Sequence, residues 1–548
     1  MRRNRIASSE FLVRMRTLTS IGFAAMMSGA LIALFAQARP VFEAADVHRS
    51  APAMNPYTFI SGGVLRGARY DLRKATMLDL IRIAWKVEPQ TVFGGPNWLE
   101  FDQFDIAATA PPSSSPETVA LMLQSLLAER FKLVLHKDTR PMPAYALTAV
   151  RGNLKLKAAA GDGNPECRYQ PPPAGSTFGR AYSCRNMTMA AFAERLHGIA
   201  DDYLTDPVVD STGIEGAWDF DLKWNYRSQV LQAGAEHTTI FGAVERQLGL
   251  SLTLQKTPAP VLVIDRVNEE PTGNAPDIGQ KLPPRVLEFE VADLKPSRPG
   301  EPAVGLQVTP GGGLKTEAMD MRILLATAWD IDWDHLERFA GLPKWVESAK
   351  FDIHAKASTN TNGPPVMGSG YIDDDVRLML RALLIDRFKM KVHYEDRLVN
   401  AYALMPAKPG MKIVKMKKAD PASRGGCREA RTMANDPRDI NPALSRLITC
   451  RNTTMAQFAT QLQPLSPDYF AYAVEDATGL TGGWDFSLSF SPSWMLRAAG
   501  PELAGAEPSS ALSLADAIGR QLGLRLEMRK RMLPVVVIDH MEEKPTDN

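Results

Sequence analysis

The sequence CRNMTM at residues 184–189 returns as CRNTTM at residues 450–455, and VDSTGIEGAWDF at 209–220 returns as EDATGLTGGWDF at 475–486. Self-similarity of this kind is the sequence signature of a repeated folding unit. The chain is therefore predicted to fold as two homologous lobes. A feature present in only one copy is a poor candidate for chemistry that both copies share.

The repeat extends over nearly the whole chain. The separation between matched residues grows from 247 positions at Phe42 and Phe289 to 274 positions at Ile264 and Ile538. These steps fall in stretches rich in Gly, Pro, Asn and Ser, where a longer loop adds little closure entropy. The predicted lobes are residues 41–274 and 285–548, joined by a proline-punctuated linker at 275–284. Each lobe is long enough to bury a core of its own.

The N-terminal residues have the pattern of a secretory signal. Arginines at positions 2, 3, 5, 14 and 16 precede an apolar run, and Ala36-Gln37-Ala38 offers small residues for signal peptidase. Residues 1–38 are therefore predicted to be a cleaved signal peptide. The alternative is an uncleaved anchor, because the apolar run approaches the length that spans a bilayer. Both alternatives predict an exported protein, periplasmic or secreted.

The cysteines form one pair in each copy, Cys167 with Cys184 and Cys427 with Cys450. In an exported chain, a matched pair in each lobe predicts one disulfide within each lobe. Free or metal-bound thiols are the alternative, but no Cys-x-x-Cys spacing accompanies these cysteines. In the chain-entropy account, closing a loop of about 20 residues stabilises a domain by about 3 kcal/mol.

The charge balance argues against a nucleic-acid-binding protein. The chain has 63 basic and 62 acidic side chains, which leaves a formal charge of +1. Because no overall field attracts a polyanion, we expect no nucleic-acid partner. We expect contact with a membrane only through the N-terminal segment, if that segment stays uncleaved.

Strand-like and helix-like periodicities alternate within each copy. Residues 104–110 alternate as a strand does, and the following apolar residues recur at helical spacing after Pro116. Residues 131–136 and 144–148 then predict a hairpin, and the order returns with a strand at 218–222, a helix at 240–248 and a hairpin at 252–264. Each lobe is predicted to be α+β, with two successive β-α-β-β units whose small antiparallel sheets are packed by amphipathic helices. Thr76 and Thr188 are predicted helix N-caps.

Motifs for catalysis or metal binding are missing from the sequence. It has no His-Glu-x-x-His and no Gly-x-Ser-x-Gly, and among its histidines only His136 and His393 occupy matched positions. An acidic run at 373–375 coincides with a predicted helix start, where carboxylates complement the helix dipole, so we favour capping over calcium binding. We predict no catalytic residue, no cofactor and no metal ligand.

Matched polar and aromatic residues are the remaining candidates for a binding surface. They are Trp98 with Trp345, Arg185-Asn186 with Arg451-Asn452, and Trp218-Asp219 with Trp484-Asp485. Packing of Trp and hydrogen bonds from Asn and Asp to the backbone explain such retention without a function. The alternative is a surface groove, because Trp and Arg dominate recognition surfaces.

Several phrases together resemble a known family. GGPNWL at 94–99, FDI at 104–106, LLAERFKL at 126–133, DSTG at 210–213 and VLVID at 261–265 are similar to a soil-associated family of exported bacterial proteins of unknown function. The resemblance spans nearly all of both copies. It implies a single copy behind a signal peptide as the usual arrangement, and some members resemble fusions behind membrane-embedded sensor metalloproteases. It supplies no catalytic residues. This chain departs from the family in carrying two copies.

A second likeness covers a shorter stretch. Residues 210–264 resemble the short N-terminal domain of secretins and TonB-dependent receptors. That domain is a protein-interaction module, and a shared topology does not establish a shared role.

Three functions follow from these observations. The favoured one is a non-catalytic, two-lobed binding or protein-interaction module of the cell envelope, whose partner is an envelope protein or an extracellular ligand. The second is an exported hydrolase acting on peptide or glycan, using Asp219 and Asp485 with His136 and His393; glycosidase chemistry needs two carboxyl groups about 5 to 9 Å apart. The third, implied by the resemblance alone, is a sensory lobe working with a membrane metalloprotease.

Overall fold

A computed structural model gives the architecture of residues 39–546. Within that range it does not describe residues 52–59, 151, 160, 162, 172–177, 205, 227–237, 286, 310–311, 332–335, 358–373, 409–415, 422, 430–443 and 499–510. The predicted signal peptide lies outside the described residues. The structure is 26% helical and 42% strand, arranged in small sheets, which confirms the predicted α+β class.

The first copy contains the following elements in its described residues. The strands are β1 (Ala44–Arg49), β2 (Ser61–Arg66), β3 (Arg69–Thr76), β4 (Val92–Gly94), β5 (Gln103–Thr109), β6 (Val134–Ala149), β7 (Lys157–Ala158), β8 (Glu166–Tyr169), β9 (Arg180–Met187), β10 (Val208–Asp210), β11 (Trp218–Trp224) and β12 (Leu250–Arg266). The helices are α1 (Met77–Trp85), α2 (Pro116–Arg130), α3 (Met189–Ile199) and α4 (Ile240–Ala243), with short 3₁₀ turns at Pro89–Thr91 and Asn97–Glu100.

The second copy repeats this order after α5 (Ile278–Lys281). Its strands are β13 (Phe289–Pro296), β14 (Val304–Thr309), β15 (Gly313–Asp320), β16 (Phe339–Ala340), β17 (Lys350–Ala357), β18 (Lys391–Pro406), β19 (Lys417–Lys418), β20 (Gly426–Glu429), β21 (Arg446–Thr453), β22 (Val474–Asp476), β23 (Trp484–Phe490) and β24 (Leu524–His540). Its helices are α6 (Met321–Trp329), α7 (Asp374–Arg387), α8 (Met455–Leu465), α9 (Ser493–Ala498) and α10 (Leu514–Ala517), with 3₁₀ turns at Leu336–Arg338 and Lys344–Glu347.

Both copies build the same sheets from the described strands. In the first copy the orders are β1-β5-β3-β2 (the N-terminal sheet), β10-β6-β12-β4 (the ribbon sheet) and β7-β11-β9-β8 (the disulfide sheet). In the second copy they are β13-β17-β15-β14, β16-β24-β18-β22 and β19-β23-β21-β20. The two-lobed arrangement predicted from the repeat is therefore present in the topology.

Each ribbon sheet is built on one long pair of strands. β6 pairs antiparallel with β12 from Val134 opposite Arg266 to Ala149 opposite Leu250. The two predicted hairpins are therefore wrong, because the chain runs straight through both proline-containing segments. Pro141 stands opposite Pro258, and two residues without an N–H can face each other only where neither donates to the other. The outer strands β10 and β4 reach only residues 145–147 and 262–264, so the middle of the ribbon is two strands wide.

The helix starts follow the predicted capping chemistry. The Thr76 side chain accepts a hydrogen bond from the Asp79 backbone N–H at the start of α1, and Thr188 accepts one from Ala191 at the start of α3. Both N-cap predictions are confirmed. The predicted helix at 240–248 is α4 followed by one π-helical turn, which ends as expected at Gly249 with φ of 72°.

Each lobe has two hydrophobic cores. In the first lobe, α1 and α2 pack on the N-terminal sheet around Phe104 and Phe131, and α3 and α4 pack on the disulfide sheet around Phe192 and Trp224. These four side chains are fully buried. Removing a buried aromatic ring of this kind costs about 3 to 5 kcal/mol of stability. The second lobe has the same two cores, and a small third cluster of Val399, Val535 and Val537 in its ribbon sheet.

Both predicted disulfides are formed. Cys167 is bonded to Cys184 and Cys427 to Cys450, with 4.0 Å between the Cα atoms in each case. Each bond joins directly opposed residues of neighbouring antiparallel strands, β8 with β9 and β20 with β21. The disulfide therefore fixes the edge strand of each disulfide sheet. Within the described residues, no helix is long and apolar enough to cross a membrane.

Charged side chains hold one face of the first lobe against the second lobe. Arg66 and Arg73 of the first lobe and Arg285 approach the carboxylates of Asp374 and Asp375 in the first turn of α7. Burial alone would raise the pKa of Asp374, but the neighbouring Arg377 and Arg285 more than offset it and hold that pKa well below its ordinary value. These residues are called the interlobe charge cluster below. They account for Asp374 and Asp375 of the acidic run, whereas Asp373 lies outside the described residues.

Candidate functional site

The matched tryptophans lie in or against the cores of the described structure. Trp98 is 7% exposed and packs edge-on against Phe104, and Trp345 stacks on Phe388. Trp484 is 9% exposed, and its counterpart Trp218 is partly buried against the equivalent core. Their retention in both copies is thus explained by packing, and they do not line an open groove together.

The matched Asn and Asp residues build a β-bulge in each disulfide sheet. The Asp219 carboxylate accepts a hydrogen bond from the Asn186 backbone N–H at 2.9 Å, and Asp485 accepts the equivalent bond from Asn452 at 2.8 Å. Both asparagines have positive φ, 52° and 36°, a conformation that Asn tolerates better than most residues. The pairing register shifts at this point in both sheets. These residues therefore set the strand geometry that aims the preceding arginine.

The arginines at the bulge are the matched pair whose surroundings differ most. Arg185 donates to the Phe220 carbonyl at 3.0 Å and to the Asp221 carboxylate at 3.1 Å. The residue equivalent to Asp221 is Ser487, whose hydroxyl contacts the Thr449 hydroxyl and carries no charge to pair with an arginine. The Arg451 guanidinium makes no hydrogen bond or ion pair with any described residue. Arg185 is neutralised within its own sheet, whereas no described residue neutralises Arg451.

Arg451 lines a cleft of about 230 Å³ at the junction of the lobes. We call this the arginine cleft, and its lining residues are Glu100, Arg424, Gly425, Gly426, Arg428, Thr449 and Arg451. Glu100 comes from the first lobe and the others from the second. The cleft therefore exists only where both lobes meet.

Glu100 and Arg424 form the inner wall of the arginine cleft. Arg424 Nε lies 2.7 Å from Glu100 Oε1, and both side chains are nearly buried, at 14% and 11% exposure. Arg424 also donates to the carbonyl of Val92 in the first lobe. Burial lowers the pKa of the Arg424 guanidinium, and the Glu100 carboxylate opposes that effect. Arg428 pairs with the same carboxylate from the half-exposed outer side.

Two glycines allow the lobes to approach here. A Cβ on Gly425 would lie 2.7 Å from the Asn97 Cβ, and one on Gly426 would lie 2.3 Å from Glu100 Oε2. Gly426 also has φ of 148°, a conformation that other residues rarely adopt. The Asn97 side-chain amide donates to the Asn452 carbonyl at 3.3 Å across the same contact. The bulge of the second lobe thus sits directly on the first lobe.

The equivalent face of the first lobe carries no excess charge. Glu166 stands opposite Arg185 in the first lobe, at the position that Gly426 occupies opposite Arg451 in the second. The Glu166 carboxylate pairs with Arg168 at 2.8 Å. Arg168 and Arg185 are balanced by Glu166 and Asp221, for a net charge of zero. Among the described residues that line the arginine cleft, Arg424, Arg428 and Arg451 are matched by Glu100 alone, for a net charge of +2. Divergence between the copies has made one face cationic.

Reasoning from the sequence missed Glu100, Arg424, Arg428 and Thr449. The repeat draws attention to residues that the copies share, whereas the cleft depends on residues that differ. The signal was present as the change from Glu166 to Gly426 and from Asp221 to Ser487, two lost carboxylates beside retained arginines. Of the predicted surface residues, Arg451 lines the cleft and Asn452 forms its support.

The residues proposed for hydrolase chemistry do not come together. His136 Nδ1 lies 2.9 Å from Asp265 and His393 Nδ1 lies 2.8 Å from Asp539, in the ribbon sheets. Asp219 and Asp485 lie in the disulfide sheets and bind the backbone of the bulge. Over the described residues, no group of three or more His, Cys, Asp or Glu side chains is placed to hold a metal ion.

Comparison with known proteins identifies the repeated unit. The family described as "Protein of unknown function (DUF3738)" matches residues 78–267 and again residues 322–541. Comparison with curated proteins and with solved structures gave no significant match. The two matched segments cover more than half of the chain, which therefore belongs to the DUF3738 family and contains that unit as a tandem duplication.

Proposed function

We propose that this protein is an exported, non-catalytic binding module of the cell envelope, and that the arginine cleft holds an anionic group of its ligand. The observation that carries the proposal is that Arg451, beside Arg424 and Arg428, pairs with no described residue, and that Glu100 is the one carboxylate among the described residues lining the cleft. A cleft with a net charge of +2 attracts a carboxylate or a phosphate.

The geometry suits recognition of an oxyanion. Arg424 is fixed by Glu100 and by the Val92 carbonyl, so little side-chain entropy is lost when a ligand binds beside it. No described residue engages the donors of Arg451, and guanidinium donors match the oxygens of carboxylate and phosphate in pairs. The Thr449 hydroxyl supplies a further donor in the same cleft. The volume of about 230 Å³ fits one acidic group with its immediate substituents rather than a whole polymer chain.

Export and an envelope partner belong to the same proposal. A disulfide in each lobe supports an oxidising location. The ligand we expect there is an envelope component that presents carboxylate or phosphate groups. The first lobe contributes Glu100 and the contact surface, and the second lobe contributes the arginines, so the duplication itself creates the site.

Titration calorimetry on the full chain tests this proposal, with inorganic phosphate and succinate as minimal probes and acidic envelope fragments as larger ones. We expect binding that weakens as salt rises. Arg451→Gln should lower the affinity at least tenfold, about 1.4 kcal/mol. The matched control is Arg185→Gln, which removes the neutralised arginine of the first lobe and should leave the affinity unchanged.

Absence of binding by every anion would count against the proposal. Equal losses in Arg451→Gln and Arg185→Gln would also contradict it, because they would indicate a general effect of positive charge rather than the cleft.

A further inference from the structure

The ribbons of the two lobes differ at backbone positions that face away from the paired strand. The Tyr145 N–H donates to the Pro207 carbonyl, and the Tyr402 N–H donates to the Ala473 carbonyl, both on the outer side of the ribbon. In an antiparallel pair every second residue points its N–H the same way, so the residues two, four and six positions from each tyrosine, and those opposite them, also direct their N–H groups outward. In the first lobe these outward positions include Pro141 and Pro143 on β6 and Pro258 and Pro260 on β12. The equivalent residues of the second lobe are Leu398, Asn400, Met532 and Pro534.

Proline removes the N–H that an added strand would need. An edge with outward prolines therefore resists strand addition, as natural edge strands commonly do. The second lobe has lost three of these four prolines. Its ribbon edges regain backbone donors that the first lobe lacks.

The edge of β24 is open over several residues. The neighbouring strand β16 pairs only with Val536 and Val537, and Arg338 donates to the Pro534 carbonyl just beyond them. No described residue bonds to the outward N–H or carbonyl groups of Met528, Lys530 or Met532. This stretch offers the donor and acceptor pattern of an unpaired edge strand.

Apolar side chains stand exposed on one face of the same stretch. Met528 and Met532 are each 56% exposed, and Leu398, directly opposite Met532, is 61% exposed. Residues two or four apart in a strand share a face, so Met528, Met532 and Leu398 form an apolar strip beside the open edge, which Lys530 interrupts between the two methionines. Methionine-rich surfaces adapt to varied apolar partners.

The charge of β24 indicates the chemistry of the partner. Residues 525–531 contain Arg525, Arg529, Lys530 and Arg531 against Glu527, a net charge of +3. Arg531 pairs with Glu475 of β22, which leaves +2 when that carboxylate is counted, whereas the equivalent residues 251–257 carry Lys256 alone. Two β24 edges brought together would repel each other, which disfavours a second copy of this chain. An acidic segment would be attracted.

We infer that the edge of β24 from Leu526 to Met532 accepts an extended peptide segment with alternating acidic and apolar residues as an added strand. The backbone supplies the hydrogen bonds, the strip of Met528, Met532 and Leu398 takes the apolar side chains, and the cations take the acidic ones. This surface lies on the ribbon sheet and is independent of the arginine cleft.

Fluorescence anisotropy with a labelled ten-residue peptide of alternating Glu and Val, titrated with the full chain, tests the inference. We expect saturable binding that Met532→Pro weakens at least tenfold. That substitution copies Pro258 of the first lobe, so the fold should accept it, and circular dichroism checks this. The matched control Asn400→Pro copies Pro143 on the opposite edge and should leave binding unchanged. A peptide N-methylated at alternate residues should bind at least tenfold more weakly than the parent.

Three results would overturn the inference. The first is no binding by the unmodified chain. The second is equal binding by Met532→Pro or by the N-methylated peptide, since charge alone would then explain the association. The third is a dimer in analytical ultracentrifugation that Met532→Pro dissociates, because the occupant of the edge would then be a second copy.

Discussion

At the scale of residues, small substitutions between the copies decide which surfaces are free. Glu166 and Asp221 keep the arginines of the first lobe engaged within their own sheet. Gly426 and Ser487 at the same places release Arg428 and Arg451 toward the junction of the lobes. Gly426 has the further effect of leaving room for Glu100.

Replacing Gly426 by Ala should therefore loosen the junction. The new Cβ would lie 2.3 Å from Glu100 Oε2 and would need a strained φ of 148°. We expect a loss of about 1 to 3 kcal/mol in the free energy of unfolding, measured by urea denaturation. Gly305→Ala is the matched control, because that strand glycine has open space around it and should change stability by less than about 0.5 kcal/mol. Equal effects of the two substitutions would argue against the close contact at Gly426.

The repeated sequence was informative about structural residues and uninformative about the site. Retention of Asn186 and Asp219 with Asn452 and Asp485 correctly indicated a shared constraint, which is the β-bulge. The cleft residues could not be found in this way, because Arg424 and Glu100 act across the junction of the lobes. Their meeting depends on tertiary placement, which local periodicity does not encode.

At the scale of elements, the long ribbons show why the predicted turns were wrong. Pro141 and Pro258 look like turn residues in sequence, but each lies where its missing N–H faces outward. The pattern of apolar residues was read correctly as strands. The continuity of each strand depends on its partner more than a hundred residues away.

This register makes a direct prediction for the second ribbon. Ala401 faces Arg529 at a hydrogen-bonded pair, whereas the neighbouring Asn400 directs its N–H outward. Ala401→Pro should cost about 3 kcal/mol or more, and Asn400→Pro less than about 1 kcal/mol, in urea unfolding. The opposite order would contradict the register of β18 against β24.

At the scale of the whole molecule, the interlobe charge cluster should make the lobe contact sensitive to acid. The folded pKa of Asp374 lies below its ordinary value of about 4. Its stabilising effect is therefore complete above that ordinary value and is lost as pH falls toward the folded pKa. Unfolding monitored between pH 7 and pH 2 should show this loss only in the acid range.

Substitution of Asp374 tests the same cluster at neutral pH. Asp374→Asn leaves Arg377 without its charged partner and removes one of the two carboxylates that Arg285 binds, so it should cost about 3 kcal/mol of unfolding free energy. It should also flatten the acid dependence. The matched control is Glu117→Gln at the equivalent helix start of the first lobe, where the exposed ion pair with Lys86 should contribute no measurable stability. A stability of Asp374→Asn equal to that of the parent chain would contradict a stabilising role for the interlobe charge cluster.

The central claim is that the second lobe became a binding face by losing the carboxylates that neutralise its counterpart. Calorimetric titration of Ser487→Asp, which restores the residue found at Asp221, tests this most directly. The account predicts that anion affinity falls at least tenfold, because the new carboxylate would pair with Arg451 as Asp221 pairs with Arg185. An affinity unchanged from that of the parent chain would contradict it.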